Sequence, residues 1–184
     1  LNITFKISEI LKKSYIRNII ILGNNLTEEK VLLNNIGFAE GDLFTNLKIS
    51  NAIDNLKDTG YFKNIRVKKN EIKNSDNVDI QIDINESPTG EISAGIGAGT
   101  NESTISFNFA EKNLLGQGIG FNLGASLGTG SQSVNFNFTN PDFASSGNSL
   151  SSGFFISKYE NETSGYQNKL IGLNASTGFE WYED

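Results

Sequence analysis

The second half of the chain alternates apolar and small polar residues with a period of two, in one segment after another. The stretch at positions 91–100, "EISAGIGAGT", is the first such segment and is dense in glycine. Its apolar face carries Ile92, Ala94, Ile96 and Ala98, and its opposite face carries Ser93, Gly95, Gly97 and Gly99. Further segments with this period lie near positions 105–110, 119–128, 133–138, 150–156 and 171–181. Because successive side chains of a strand point to opposite faces, the pattern predicts about six antiparallel strands joined by Gly, Asn and Ser turns.

The polar faces of these predicted strands are nearly free of charge. A soluble β-sandwich usually places charged side chains on its wet face. Here that face is mostly Gly, Ser and Asn, and the charges collect at turns such as Glu111-Lys112 and residues 158–162. Such a polar face suits the enclosed interior of a wide membrane barrel. The opposite, apolar face of the strands would then meet lipid. A soluble β-sheet remains the alternative.

Residues 1–87 have a different composition. They hold 12 basic and 12 acidic side chains and only four of the 19 glycines, whereas residues 88–184 hold three lysines against nine acids. A strand is predicted in "SYIRNIIIL", helices near residues 27–36 and 46–59, and strands in "NIRVKK" and "NVDIQIDINE". The sequence therefore predicts an α+β domain of order β-α-α-β-β at residues 14–87, with a boundary near Pro88.

Enzyme chemistry is disfavoured by two absences. The 184 residues include no cysteine and no histidine, which removes the thiol nucleophile, the commonest general base and the commonest metal ligand. Asp79 and Asp83 share one strand face, but no third ligand converges on them in the sequence, so they read as a solvated face. No basic stripe is available for nucleic acid. We expect a protein that is not an enzyme, with no catalytic, cofactor or metal site.

The glycines at 95, 97 and 99 raise the question of a phosphate-binding loop. Such a loop leads into a helix whose N-terminus faces the phosphate. Here a turn, "TNES", and another alternating segment follow, and the chain contains no Gly-Lys-Ser/Thr step. The stretch therefore reads as a strand with one bare face.

Several motifs of the first part are similar to those of a known domain. Ile19 and Ile21 precede "LGNN", Thr27 opens the first predicted helix, "EGD" stands at 40–42 and "LKDTGYFKNIRV" at 56–67. This set resembles a POTRA domain, a periplasmic module that occurs in tandem. The resemblance implies that residues 1–13 are the last strand of a preceding POTRA copy and a linker.

The order of motifs across the boundary extends the resemblance. The POTRA-like unit runs into "ESPTGEISAGIGAGT", "EKNLLGQGIGFNL" and "SVNFNFTNPDF", and this order resembles the Omp85 family, in particular its outer-membrane assembly branch. Glu86 and Gly90 match the family's link into the barrel, and "NLLGQG" and "NPDF" match two of its turns. The resemblance implies that residues 88–184 are the first six strands of a larger outer-membrane barrel, and hence an incomplete, open sheet.

The resemblance also implies a function, the assembly and insertion of outer-membrane β-barrel proteins. The first barrel strand, residues 92–99, would form a weak seam that pairs with client strands, because glycine weakens a strand. Alternatively, its glycines only thin the barrel wall. Free edges of the POTRA sheet could bind extended clients; the candidate edge residues are Arg17, Ile19, Ile21, Arg66 and Lys68. Lys68 and Lys69 would guard that edge against unwanted pairing, or are ordinary solvated lysines.

The implied partners are outer-membrane lipids, unfolded β-barrel clients and accessory assembly lipoproteins. Many family members carry charges at the end of the first POTRA helix for the lipoprotein contact, whereas this chain has Leu33, Asn34 and Asn35 there. That departure argues against an identical contact. The other readings of the chain are a sibling Omp85 transporter of the two-partner secretion type and a soluble β-rich binding module. The implied location is the bacterial outer membrane, with the POTRA part in the periplasm.

Overall fold

A computed structural model describes residues 13–99, 103–161 and 165–179 of the chain. The chain divides into two compact units. One holds the residues up to Asn25 together with Leu32–Ser87, and the other holds Leu26–Val31 together with the residues from Pro88 onward. Residues 1–12, where the sequence predicts the end of a preceding domain, lie outside the described residues.

The elements up to Ser87 follow the predicted order β-α-α-β-β. They are β1 (Tyr15–Leu22), α1 (Glu29–Ile36), α2 (Asn46–Asp58), β2 (Phe62–Glu71) and β3 (Asn77–Glu86). The Thr45 side chain caps α2 by accepting a 3.2 Å hydrogen bond from the Lys48 N–H, and Gly60, with a φ of 73°, follows its end. The three strands form one sheet in the order β1-β3-β2, in which β1 is parallel and β2 antiparallel to β3.

The core of this first unit is built on the alternation of β3. Val78, Ile80, Ile82 and Ile84 are at most 3% exposed, as their period of two predicts. Ile16, Leu32, Ile36 and Leu56 are also almost completely buried. Burying each such side chain contributes about 1.5–3 kcal/mol relative to leaving it exposed, so this apolar face holds the sheet and its helices together.

The second unit contains the six predicted antiparallel strands. They are β4 (Gly90–Ala98), β5 (Ser103–Leu114), β6 (Ile119–Gly128), β7 (Ser131–Asn140), β8 (Ser149–Asn161) and β9 (Tyr166–Gly178). Each strand pairs with the next one along the chain. Within the described residues the sheet is open, with β4 and β9 as its two edges, and this confirms the predicted incomplete antiparallel sheet.

Among the residues that the structure describes, no helix combines the length and the apolar character needed to cross a membrane.

The register of the sheet separates an apolar from a polar face. One apolar row crosses all six strands: Ile92, Phe109, Leu123, Phe136, Phe154 and Leu173. On this face the ring centroids of neighbouring phenylalanines lie 5.2–6.2 Å apart. On the polar face the Asn122 amide donates to Asn108 Oδ1 at 2.8 Å, and the Asn135 amide donates to Asn122 Oδ1 at 3.3 Å. Phenylalanine and asparagine side chains therefore link neighbouring strands on opposite faces.

Candidate functional site

The first candidate site is the outer edge of β4. Seven residues of the predicted seam strand, Ile92 to Ala98, lie in β4, and Gly99 follows its end. β4 pairs with β5 from Gly90↔Glu111 to Ala98↔Ser103, and no strand among the described residues lies on its other side. Every residue of β4 is exposed. An unpaired edge of this kind presents a row of backbone donors and acceptors to any extended chain.

Gly95 and Gly97 of β4 are not required for packing against the backbone of β5. A Cβ added at Gly97 would find its nearest neighbour, the Thr104 Cβ, at 3.9 Å. One added at Gly95 would meet the rotatable hydroxyl of Ser106 at 3.0 Å. At Gly153 of β8, in contrast, an added Cβ would lie 2.7 Å from the backbone carbonyl oxygen of Phe136. Steric need therefore explains Gly153 of β8 but not Gly95 and Gly97 of β4.

The outer edge of β1, the second predicted edge, is largely occupied. Residues 40–44 make three backbone hydrogen bonds of 2.7–2.8 Å to Ser14 and Ile16. Further along, the Ile19 N–H donates to Oε1 of Glu40 at 3.0 Å. Ile21 lies beyond this covered part. The candidate edge residue Ile19 is therefore engaged inside the first unit and does not offer its N–H to another chain.

Arg17 also serves an internal contact. It lies at an irregularity in the pairing of β1 with β3, and its guanidinium donates to both carboxylate oxygens of Asp79, at 2.9 and 2.6 Å. This pairing lowers the pKa of Asp79 below its ordinary value. Arg17 therefore joins β1 to β3. Its strand lies at an edge of the sheet, as predicted, and two of its side-chain nitrogens are bonded to Asp79 within the sheet. A role of Arg17 in client binding stays a prediction.

The outer edge of β2 is the more open edge of the first unit. β2 pairs with β3 on one side, and no strand among the described residues lies on the other. Lys68 Nζ donates to Asp83 at 2.6 Å. Lys69 Nζ donates to Glu71 at 2.8 Å and lies 4.8 Å from the centre of the Phe44 ring. Both lysines, predicted to guard the edge, are thus held by groups of their own unit.

Arg66 is an exposed cation of β2 that, like Lys63 near the start of the strand, has no such partner among the described residues. It lies directly opposite Asp83. The pKa of Asp83 is lowered chiefly by its hydrogen bonds from Lys68 and Gln81, and Arg66 adds to this only through its charge. Among the described residues, no hydrogen bond or ion pair engages the Arg66 guanidinium.

The end of α1 carries the positions that the resemblance associates with a lipoprotein contact. Leu33, Asn34 and Asn35 lie in α1, where Leu33 is 39% exposed. The Asn35 carbonyl accepts a 3.1 Å hydrogen bond from the Asn55 side chain. The exposed surface that these positions provide is uncharged.

A buried contact between two residues of the second unit was missed from the sequence. Thr27, which was predicted to open the first helix, lies two residues before the start of α1 at Glu29. Asn113 is 2% and Thr27 3% exposed, and the Asn113 amide donates to Thr27 Oγ1 at 2.9 Å. Asn113 Oδ1 also accepts from the Gly118 N–H at 2.7 Å. Gly116 lies so close to the Leu26 carbonyl that no side chain fits there. The motif "NLLGQG" indicated a turn, but nothing in it pointed to residues 26–28.

Comparison with known families places two domains on the chain. The POTRA family, described as a surface antigen variable number repeat, matches residues 14–87, and the Omp85 superfamily domain matches residues 113–184. The predicted resemblance is confirmed by these matches.

Similar curated proteins carry names from one branch of this superfamily. The chain is 30% identical over 108 residues to "Outer membrane protein assembly factor BamA" of Nitratidesulfovibrio vulgaris, covering 58% of this chain and 14% of that protein. It is 29% identical over 132 residues to "Putative outer membrane protein assembly factor" of Treponema pallidum, covering 68% and 16%. The chain therefore spans less than a fifth of these relatives.

Solved structures resemble the fold over nearly the whole chain. BamA from Haemophilus ducreyi lacking POTRA domains 1–3 matches with a TM-score of 0.77 and 30% identity, over 90% of this chain and 32% of that one. CdiB from Acinetobacter baumannii matches with a TM-score of 0.61 and 12% identity, over 89% and 34%. The second likeness is one of fold alone.

Proposed function

Because the chain joins a POTRA domain to an Omp85 superfamily domain, we propose that it acts in the assembly and insertion of β-barrel proteins at the bacterial outer membrane. Its POTRA part would lie in the periplasm. The observation that carries the proposal is the open, fully exposed edge of β4, which follows the POTRA unit in the chain. The proteins that share its domains and bear the name of assembly factors support this reading.

The proposed role of β4 is to pair with a client strand. Main-chain hydrogen bonds along an open edge supply affinity with little demand on the client sequence, while alternating side chains must match the two faces of the sheet. Glycine disfavours a strand by about 0.5–1 kcal/mol relative to alanine. Gly95 and Gly97 would keep the pairing of β4 weak enough for one partner strand to be exchanged for another. Packing against the backbone of β5 does not require glycine at either position.

The remaining partners follow from the surfaces of the two units. The apolar face of the sheet, with Ile92 69% and Ile96 86% exposed, is proposed to meet outer-membrane lipid. The β2 edge of the POTRA unit is proposed to hold extended clients before they reach β4. An accessory lipoprotein would have to bind the uncharged side chains of Leu33, Asn34 and Asn35 at the end of α1. No step of this work requires a catalytic group, so we propose a function without enzyme chemistry.

Disulfide crosslinking tests the proposal directly, because the chain has no cysteine of its own. The protein is reconstituted in liposomes of outer-membrane lipid with a urea-denatured β-barrel client that carries one cysteine in a terminal strand. Ser93→Cys on β4 should crosslink to the client during assembly. The matched control is Ser126→Cys, on the same face of β6, which is paired on both sides.

Crosslinking at Ser93→Cys no greater than at Ser126→Cys would reject client pairing at β4. Transfer of a secreted client into the liposome, without its insertion in the bilayer, would favour the sibling transporter. A purified chain that stays monomeric without detergent, with its sheet folded, would favour the soluble binding module.

A further inference from the structure

The β2 edge of the first unit has two chemically different faces. Ile65 and Val67 are half-buried on the face that holds the core, where they lie opposite Ile84 and Ile82. Arg66 and Lys68 are exposed on the other face. A strand added outside β2 would extend both faces, because side chains of paired strands line up across a sheet. Its alternate residues would thus lie beside either the Ile65–Val67 row or the Arg66–Lys68 row.

Charge on the outer face of β2 is uneven. Asp83 stands between Arg66 and Lys68, but its oxygens accept from Lys68 Nζ at 2.6 Å and from the Gln81 side chain at 2.7 Å. Arg66 has five N–H donors in a fixed fork, and none of them has a carboxylate partner among the described residues. Among the described residues, Asp83 thus accepts from Lys68 and Gln81 and makes no hydrogen bond with Arg66, although it lies opposite that residue.

We propose that the β2 edge selects extended, amphipathic segments that carry an acidic residue beside Arg66, an inference that rests on the proposed role of this edge in holding clients. An apolar residue of the segment packs beside Ile65 and Val67, and the carboxylate one position away accepts the fork of Arg66 in a paired hydrogen bond. The strands of β-barrel proteins alternate in this manner. Backbone pairing alone does not select the bound segment by charge. Arg66 adds a preference for an acidic residue.

An anionic lipid headgroup shares the charge of the proposed segment but not its pattern. A headgroup would contact Arg66 alone and would make no use of the half-buried Ile65 and Val67 at the same edge. The apolar row and the cationic row together favour a peptide strand.

Three short peptides test the preference. They alternate valine and threonine and differ only in a central residue on the threonine face, which is glutamate, glutamine or lysine. The whole chain is held in nanodiscs of zwitterionic lipid, and binding is followed by fluorescence anisotropy and by hydrogen–deuterium exchange of the β2 amides. We expect the glutamate peptide to bind about two- to fivefold more tightly than the glutamine peptide. This factor corresponds to the stabilisation that a pair of opposite charges gives on neighbouring strands. The lysine peptide should bind most weakly.

Variants of Arg66 assign the preference to its side chain. Arg66→Gln should remove the difference between the glutamate and glutamine peptides, and Arg66→Glu should make the lysine peptide the tightest. Lys73→Gln, which removes an exposed positive charge just outside β2, should leave the parental order unchanged. Protection of the β3 amides verifies that each variant is folded.

The outcomes separate this inference from the function on which it rests. Equal binding of the three peptides, with the β2 amides protected, overturns the acidic preference and leaves client capture at β2 intact. If no peptide protects β2, both capture at this edge and its preference are rejected, while pairing at β4 still has its own crosslinking test. Arg66-dependent binding to vesicles with anionic lipid, without peptide binding, would assign the site to headgroups and also overturn the proposal.

Discussion

The backbone N–H of Ile19 donates a 3.0 Å hydrogen bond to the side-chain carboxylate of Glu40. A side chain therefore stands where the carbonyl of an added strand would otherwise bind. The strand behind it, "YIRNIIIL", is rich in β-branched residues, and Ile20 and Leu22 are 40% and 48% exposed on its outer face. Such an edge is prone to unwanted pairing, and Glu40 with residues 41–44 covers most of it.

Replacement of Glu40 should open the β1 edge. In Glu40→Ala the Ile19 amide loses its acceptor, and we expect up to about tenfold faster exchange of that amide, as the loss of about 0.5–1.5 kcal/mol implies. The variant should also self-associate at lower concentration in light scattering. Glu40→Gln retains a side-chain oxygen that can accept the bond and should behave like the parent. Unchanged exchange at Ile19 in Glu40→Ala would show that the carboxylate does not protect this edge.

Alanine at Gly95 and Gly97 of β4 should separate folding from function. In the double variant Gly95→Ala, Gly97→Ala, the methyl group at position 97 has room and the one at position 95 requires only the Ser106 hydroxyl to turn aside. Each alanine should favour the strand by about 0.5–1 kcal/mol. We expect stability against urea to be kept or raised while client assembly in liposomes slows. Gly153→Ala is the control, because its added methyl group meets a backbone carbonyl and should lower stability. Assembly by the double variant at the parental rate would refute a functional role for these glycines.

Stability of the first unit should fall in acid for a defined reason. The hydrogen bonds from Arg17 to Asp79 and from Lys68 to Asp83 lower both carboxyl pKa values below about 3.9, the ordinary value for an unfolded chain. The unfolded state therefore binds more protons in this range. The stability that these two carboxylates contribute is fully present when the pH is above the pKa of the unfolded chain. It is lost as the pH falls through the lowered pKa values of the folded state. Urea unfolding at several pH values between neutral pH and pH 2, monitored through exchange of the β3 amides, measures the decline in the stability of the first unit. Asp79→Asn should make it shallower, and an equally steep decline would contradict this assignment.

Removal of the Asn113 side chain should loosen the β5–β6 turn. Asn113→Ala deletes the bonds to Thr27 and from Gly118 in a buried position, which should cost about 1–3 kcal/mol of unfolding free energy. Exchange at the Gly118 amide and at the Glu28 amide, which donates to the Gly116 carbonyl, should accelerate together. Asn122→Ala, in the partly exposed asparagine pairs of the polar face, is the matched control and should have a smaller effect. Equal losses in the two variants would mean that the Asn113 position has no special role.

Local periodicity was enough to predict the elements of both units. The alternation of Val78 to Ile84 identified the buried face of β3, and that of Ile119 to Leu127 identified β6. Both predictions were possible because the period of a strand depends only on the residues of that strand. The open antiparallel sheet followed from the count of such segments and from the family resemblance.

Contacts between distant positions could not be predicted in the same manner. The closure of the β1 edge depends on Glu40, 21 residues away from Ile19, and nothing in the period of β1 reveals it. Phe155 lies on the otherwise polar face, where its ring covers Gly172 of the neighbouring strand. Only the register between β8 and β9 shows why that phenylalanine is accommodated there. Which strand edges are open and which residues are already engaged are therefore tertiary properties.

The bond between Thr27 and Asn113 joins positions 86 residues apart, so the second unit is discontinuous along the chain. A loop of this length must close before the β5–β6 turn reaches its final form, and the entropy of that closure has to be overcome during folding. Residues 26–31 are synthesised early, but the loop can close only after the β5–β6 turn has also been synthesised. A recombinant chain that starts at Pro88 would avoid this closure but would lack part of its own unit, so its β5–β6 turn should be less stable unless a peptide containing residues 26–31 is supplied in trans.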